Sequence, residues 1–134
     1  MKSPPVLQAF VLAERIYTDA ATGQRIICGT FNQIMATKFP RTTEKLTYAF
    51  ILLCEVTQRM PFQLRFVSLK DNRIVMQSGI IQVEAKDPCM PVDLVIEIPP
   101  LPLAEPGVYS FECWANEHMV GSVRLPVSRV ETES

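Results

Sequence analysis

Residues 109–127 read YSFECWANEHMVGSVRLPV, and the spacing within that stretch decides the fold class. Tyr109, Phe111, Cys113 and Ala115 alternate with Ser110, Glu112 and Trp114. Met119, Val123, Leu125 and Val127 alternate with Ser122 and Arg124. A side-chain period of two marks strands that bury one face. Opposed residues on paired strands share a face, so the turn must set apolar against apolar. A two-residue turn at Glu117-His118 would set Phe111 against Arg124 and mix core with solvent. An odd loop, Asn116-Glu117-His118, sets Ala115 against Met119, Phe111 against Val123 and Tyr109 against Leu125. The spacing therefore predicts a three-residue hairpin with His118 at its tip, or a two-residue turn with a bulge.

The same period runs outward from this hairpin. Leu46–Val56 is the strongest strand. Phe62–Leu69 and Ile74–Ser78 flank Asp71-Asn72, two residues suited to a tight turn. Ile80–Glu84 and Val92–Ile98 are separated by the breaker Asp87-Pro88. Asp19-Ala20-Ala21-Thr22-Gly23 is a turn with Gly23 placed for a left-handed conformation, pairing Glu14–Thr18 with Arg25–Phe31. Val6–Thr18 reads as a strand feeding that turn; a helix opening after Ser3 is the alternative. Ile34–Pro40, ended by Phe39-Pro40, is an edge strand or an extended crossover. Pro99-Pro100-Leu101-Pro102 is a polyproline-like connection between sheets. About eight or nine short strands and no clear helix predict an all-β, immunoglobulin-like two-sheet antiparallel β-sandwich. One domain is expected over residues 1–134, with 1–5 and 130–134 frayed.

Composition narrows the function classes. The chain has 134 residues, 48% hydrophobic and 20% charged, with a net charge of −1. That size buries one core without metals or crosslinks. Charges occur singly, so no basic stripe is available to neutralise phosphates, and nucleic acid is not an expected partner. No apolar stretch approaches the ~20 residues that a membrane helix requires. Lys2 and Val6–Ala13 imitate a signal peptide, but Gln8, the early prolines and Glu14-Arg15 break the pattern. Cys28, Cys54, Cys89 and Cys113 are widely spaced and read as free thiols of a cytoplasmic protein, with a Cys54–Cys113 disulfide as the alternative.

Two local patterns resemble known families. Leu103-Ala104-Glu105-Pro106-Gly107-Val108-Tyr109 resembles the tyrosine corner that leads into strand F of immunoglobulin-like sandwiches, where the phenol hydroxyl ties back to upstream backbone. Phe111 stands where antibody-type domains carry a cysteine, so their inter-sheet disulfide is not implied. More broadly, Asp19-Ala20-Ala21-Thr22-Gly23, Gly29-Thr30-Phe31-Asn32-Gln33-Ile34, Phe39-Pro40 and Pro106-Gly107-Val108-Tyr109 together resemble a family of small uncharacterised bacterial proteins. That resemblance implies a bacterial, cytosolic sandwich. It transfers no catalytic residue.

Catalytic and metal chemistry find little support. One histidine and four dispersed cysteines give no zinc spacing, and Asp19, Asp71, Asp87 and Asp93 occur singly. Parity points Cys113 inward and His118 outward, so they do not make a nucleophile–base pair. Glu97 and Glu112 read as outward residues of alternating strands. No metal or cofactor is expected, and the sequence points away from an enzyme.

One feature departs from a plain sandwich. In Leu46–Val56 both faces are apolar: Leu46, Tyr48, Phe50, Leu52 and Cys54 on one, Ala49, Ile51 and Leu53 on the other. Only one face can meet the core. If this strand neighbours the final hairpin, Ile51, Leu53, Trp114 and Val120 form an exposed apolar patch, which isolated chains seldom leave bare. Phe39 adds an exposed sheet edge. The expected function is protein interaction or self-association through these residues. A loop site for a small molecule or carbohydrate, with Trp114 as the stacking surface, is the alternative. A cover supplied by the N-terminal segment or by residues 32–43 would instead make the second face structural.

Overall fold

Twelve strands and no helix make up the regular structure of residues 3–131, the part described by a computed structural model. In chain order they are β1 (Val6–Thr18), β2 (Arg25–Thr30), β3 (Ile34–Ala36), β4 (Arg41–Thr42), β5 (Thr47–Cys54) and β6 (Met60–Ser68). Then come β7 (Arg73–Gln77), β8 (Ile81–Val83), β9 (Val92–Ile98), β10 (Pro102–Leu103), β11 (Gly107–Ala115) and β12 (His118–Arg129). One sheet runs β2-β1-β5-β9; the other runs β3-β12-β11-β6-β7, with β8 also on β6. Among the described residues β4 and β10, two residues each, pair only with one another.

Alternation brings the two inner faces together as a β-sandwich. Leu12, Ala49, Ile51, Leu53, Ile96 and Ile98 come from the first sheet. Phe62, Leu64, Phe66, Tyr109, Phe111, Cys113, Leu125 and Val127 come from the second. Phe66 lies at the centre, stacked on Tyr109 at 5.1 Å and tilted against Phe111 at 4.7 Å. The Tyr109 hydroxyl donates to the Glu105 carbonyl at 2.7 Å across Pro106 and Gly107, so the tyrosine corner forms as its motif implies.

The strand order is immunoglobulin-like, but it corrects one assignment. The strand beside the final hairpin is β6, and β5 lies in the opposite sheet between β1 and β9. β1 is a full first strand, which moves every later strand one place along. With that shift the parity of β5 reverses. Ile51 and Leu53 are 0% exposed, while Tyr48, Phe50, Leu52 and Cys54 face outward, half-buried.

The final hairpin takes the second of its two expected forms. Asn116 and Glu117 both have positive φ, at 49° and 67°, and make a two-residue turn that pairs Ala115 with His118. A bulge opposite Cys113 and Trp114 absorbs Val120, after which Phe111 meets Val123 and Tyr109 meets Leu125. His118 therefore begins a strand rather than capping the loop. The first turn closes as expected, with the Gly23 amide donating to the Asp19 carbonyl at 2.8 Å and Gly23 at φ +75°. The turn after β6 spans four residues, and only its Asn72 has positive φ.

Residues 34–40 cross from the first sheet to the second, where β3 adds to β12 in parallel. All four cysteines are free: Cys54 donates to the Gln8 side chain at 2.7 Å on the outer face, and Cys113 is buried between the sheets. Within the end stretches where fraying is expected, Pro5 is buried and the Val130 amide donates to the Ala36 carbonyl at 2.9 Å. The part of that expectation that falls on residues 1–2 and 132–134 lies outside the described residues.

Candidate interaction surface

Register alone builds the outer face of the first sheet, because cross-strand partners project to the same side. Three rows cross β1, β5 and β9: Ala13–Tyr48–Glu97, Val11–Phe50–Val95 and Ala9–Leu52–Asp93. The middle row is wholly apolar, and Val11, Phe50 and Val95 are each half-buried. Within these three rows charge enters only on β9, as Asp93 and Glu97. Beyond the sheet, Tyr17 and Ile26 oppose each other across β1 and β2, each 49% exposed.

The N-terminal hairpin covers part of this face. Arg25 Nε lies 3.0 Å from Asp93 Oδ2, although β2 and β9 stand at opposite ends of the sheet order. The hairpin must bend over the outer face to make that contact, and Ile26, Ile27, Phe50 and Asp93 then line one shallow hollow. Both partners of the ion pair are about a third exposed, at 31% and 39%. Such a pair contributes roughly 0–1 kcal/mol, too little to fasten the hairpin by itself.

The structure turns the other side of β5 inward from the one expected. Ile51 and Leu53 are core, so they cannot join Trp114 and Val120 in a surface patch. Trp114 and Val120 are half-buried on the other sheet, in the final hairpin. Trp114 belongs to a polar cluster there: the Arg65 guanidinium lies 4.3 Å over its ring, and its indole N–H donates to Glu112 at 3.0 Å. Phe39 is half-buried in the crossover, with the Arg129 guanidinium 5.5 Å from its ring centre. On β5 it is Phe50 and Leu52 that face outward, and register sets Val11 and Val95 beside Phe50. Their signal was in β9, where Asp93 and Glu97 mark the outer side without ambiguity.

A second feature lies on the inner side. A cleft of about 450 Å³ opens between β9 and the segment after β7, lined by Leu64, Phe66, Met76, Ile96, Ile98 and Phe111 among others. For reactive groups, His118 is exposed at the hairpin end, its Nδ1 3.0 Å from the Asn116 carbonyl oxygen, while Cys113 points into the core. Burial pushes the Cys113 thiol up to about 12. A thiol held neutral in this way is a poor nucleophile. Among the described residues no three His, Cys, Asp or Glu side chains cluster as metal ligands, and no helix is long and apolar enough to cross a membrane.

The chain belongs to a family of unknown function (DUF6941), whose profile matches residues 8–128. No curated protein matches it. Among solved structures, the sensor domain of the anti-sigma factor RsgI4 from Pseudobacteroides cellulosolvens is similar at 12% identity. That match covers 92% of this chain and 95% of that one, with a TM-score of 0.42.

Proposed function

We propose that this member of the DUF6941 family acts by binding a protein, through the outer face of its four-stranded sheet. The observation that supports this reading is the Val11–Phe50–Val95 row, apolar across three strands and half-accessible, with Tyr17 and Ile26 exposed beside it. Covering a side chain of this kind is worth about 1.5–3 kcal/mol when complete, so a partner gains from each one it buries. The carboxylates of Asp93 and Glu97 form a polar rim on one side, as protein interfaces commonly have. Catalysis ranks lower, because the surface gathers no nucleophile, base and oxyanion donors around one point. Carbohydrate stacking on Trp114 also ranks lower, since Arg65 occupies one face of that ring.

Phe50→Glu tests the reading. Phe50 lies outside the core, so the variant keeps its circular dichroism spectrum and cooperative unfolding. Sedimentation velocity of wild type against variant, alone and with co-purified protein, then measures binding. The expected outcome is an assembly formed by wild type and lost in the variant. A wild type that sediments as a lone chain and co-purifies with nothing that Phe50→Glu releases overturns the proposal.

A further inference from the structure

The sandwich is open along one side. β9 ends the four-stranded sheet and β7 ends the larger one, and among the described residues no strand pairs with the second edge of β9. No bulge or internal proline interrupts that edge. Its pairing with β5 runs without a register shift from Val92 to Ile98, and Pro91 and Pro99 flank the strand rather than interrupt it. A free edge of this kind is a row of unpaired N–H and C=O groups ready to template another strand. The cleft described above lies beside its C-terminal half, with Ile96 and Ile98 as one wall and the core residues Leu64, Phe66 and Phe111 among its lining. At about 450 Å³ it holds side chains from an added strand.

We infer that β9 receives an extended segment of a partner protein in which apolar and basic residues alternate. An added strand keeps the period of two, so its inward side chains enter the cleft and its outward ones flank Asp93 and Glu97. Those two carboxylates share the outer face of β9, opposite Leu52 and Tyr48. Basic side chains are their complement, and Asp93 is already held by one, Arg25, in an exposed pair that another cation can replace. The same charges argue against a second copy of this chain. Antiparallel pairing of two β9 strands about Val95 sets each Asp93 against a Glu97, and like charges directly opposed destabilise a sheet. Symmetric registers that avoid this shorten the ladder against Pro91 or Pro99. The row around Phe50 reaches β9 at Val95, but neither the open edge nor the cleft uses Val11 or Phe50, so the inference goes beyond the outer-face reading and does not rest on it.

The test uses the full chain and a labelled peptide of about ten residues alternating lysine with valine, long enough to span one edge strand. Fluorescence anisotropy measures affinity, and amide hydrogen exchange locates the contact. The lysine peptide is expected to bind and to slow exchange within Val92–Ile98. Replacing lysine by glutamate in the peptide is expected to weaken binding by about tenfold or more. Gly79→Phe fills the cleft at a position where an added Cβ meets nothing within 4 Å, and is expected to weaken the lysine peptide by about tenfold. Glu97→Lys, an exposed change, narrows the preference for lysine over glutamate. Equal affinity for the two peptides, or unchanged exchange in Val92–Ile98, overturns the inference. So does laurate occupying the cleft of a protein that ignores both peptides, an outcome that assigns the cleft to a small apolar molecule.

Discussion

Cys113 lies where the alternation of residues 109–115 puts it, and its chemistry follows from that position. Between the sheets the thiolate has lost its water, so the folded protein holds the thiol from an ordinary 9.0 up to about 12. In the unfolded chain the thiol loses its proton near 9. The folded state therefore binds more protons above that pH, and stability falls as pH rises from about 9 toward 12, by up to roughly 1.4 kcal/mol per pH unit from this group. Below 9 the contribution is complete. Urea titrations across this range, wild type against Cys113→Ala, isolate it: the variant is expected to lose stability less steeply. Equal slopes would mean the thiol ionises in place. The inward sense of Cys113 was legible because Glu112 marks the other side. Ile51 was not legible in the same way, since Phe50 and Leu52 are as apolar as Ile51 and Leu53. Only the register with β9, whose Asp93 and Glu97 break the symmetry, settles which set is buried.

Hairpins show what spacing can and cannot specify. The alternation around residues 116–118 requires one unpaired residue somewhere, and it was legible that Phe111 must meet Val123. Where the extra residue sits depends on backbone conformation. The chain places it at Val120 and closes the turn with Asn116 and Glu117, both left-handed. Gly121 was the available signal, because a glycine inside a strand marks a bulge or a close approach. Both hold here: a Cβ at 121 would overlap the Leu7 side chain, which packs across from the other sheet. Asparagine tolerates φ near 49° with little strain, but glutamate at 67° costs roughly 1–2 kcal/mol relative to glycine. Glu117→Gly is accordingly expected to stabilise the protein by about 1 kcal/mol, read as a higher urea midpoint at unchanged slope. No gain, or a loss, would show that the Glu117 side chain makes contacts that offset the strain.

Across the whole molecule the two sheets differ in how they are finished, and that difference carries the functional argument. The period of two was enough to predict two packed sheets, but not to place β5, which lies in the sheet opposite the final hairpin. Deciding which strands end them needed the topology, which depends on reading β1 as a full strand from a segment that also fits a helix. β5, β6 and β11 have neighbours on both sides and supply most of the core, whereas β2 and β9 each pair along one edge. Native-state hydrogen exchange should follow this order. Amides of β5, β6 and β11 that bond within the sheets are expected to open only with global unfolding, and those near the tip of the β1–β2 hairpin through a local opening, because the Arg25–Asp93 contact is weak. β9 is the decisive case. Its amides that bond to β5 should be protected, while the alternate ones that face the open side should exchange within seconds to minutes, giving a period of two in the rates along Val92–Ile98. Uniform protection along β9 in the purified chain would mean that its edge is already covered. The open side would then belong to self-assembly rather than to a basic, extended partner.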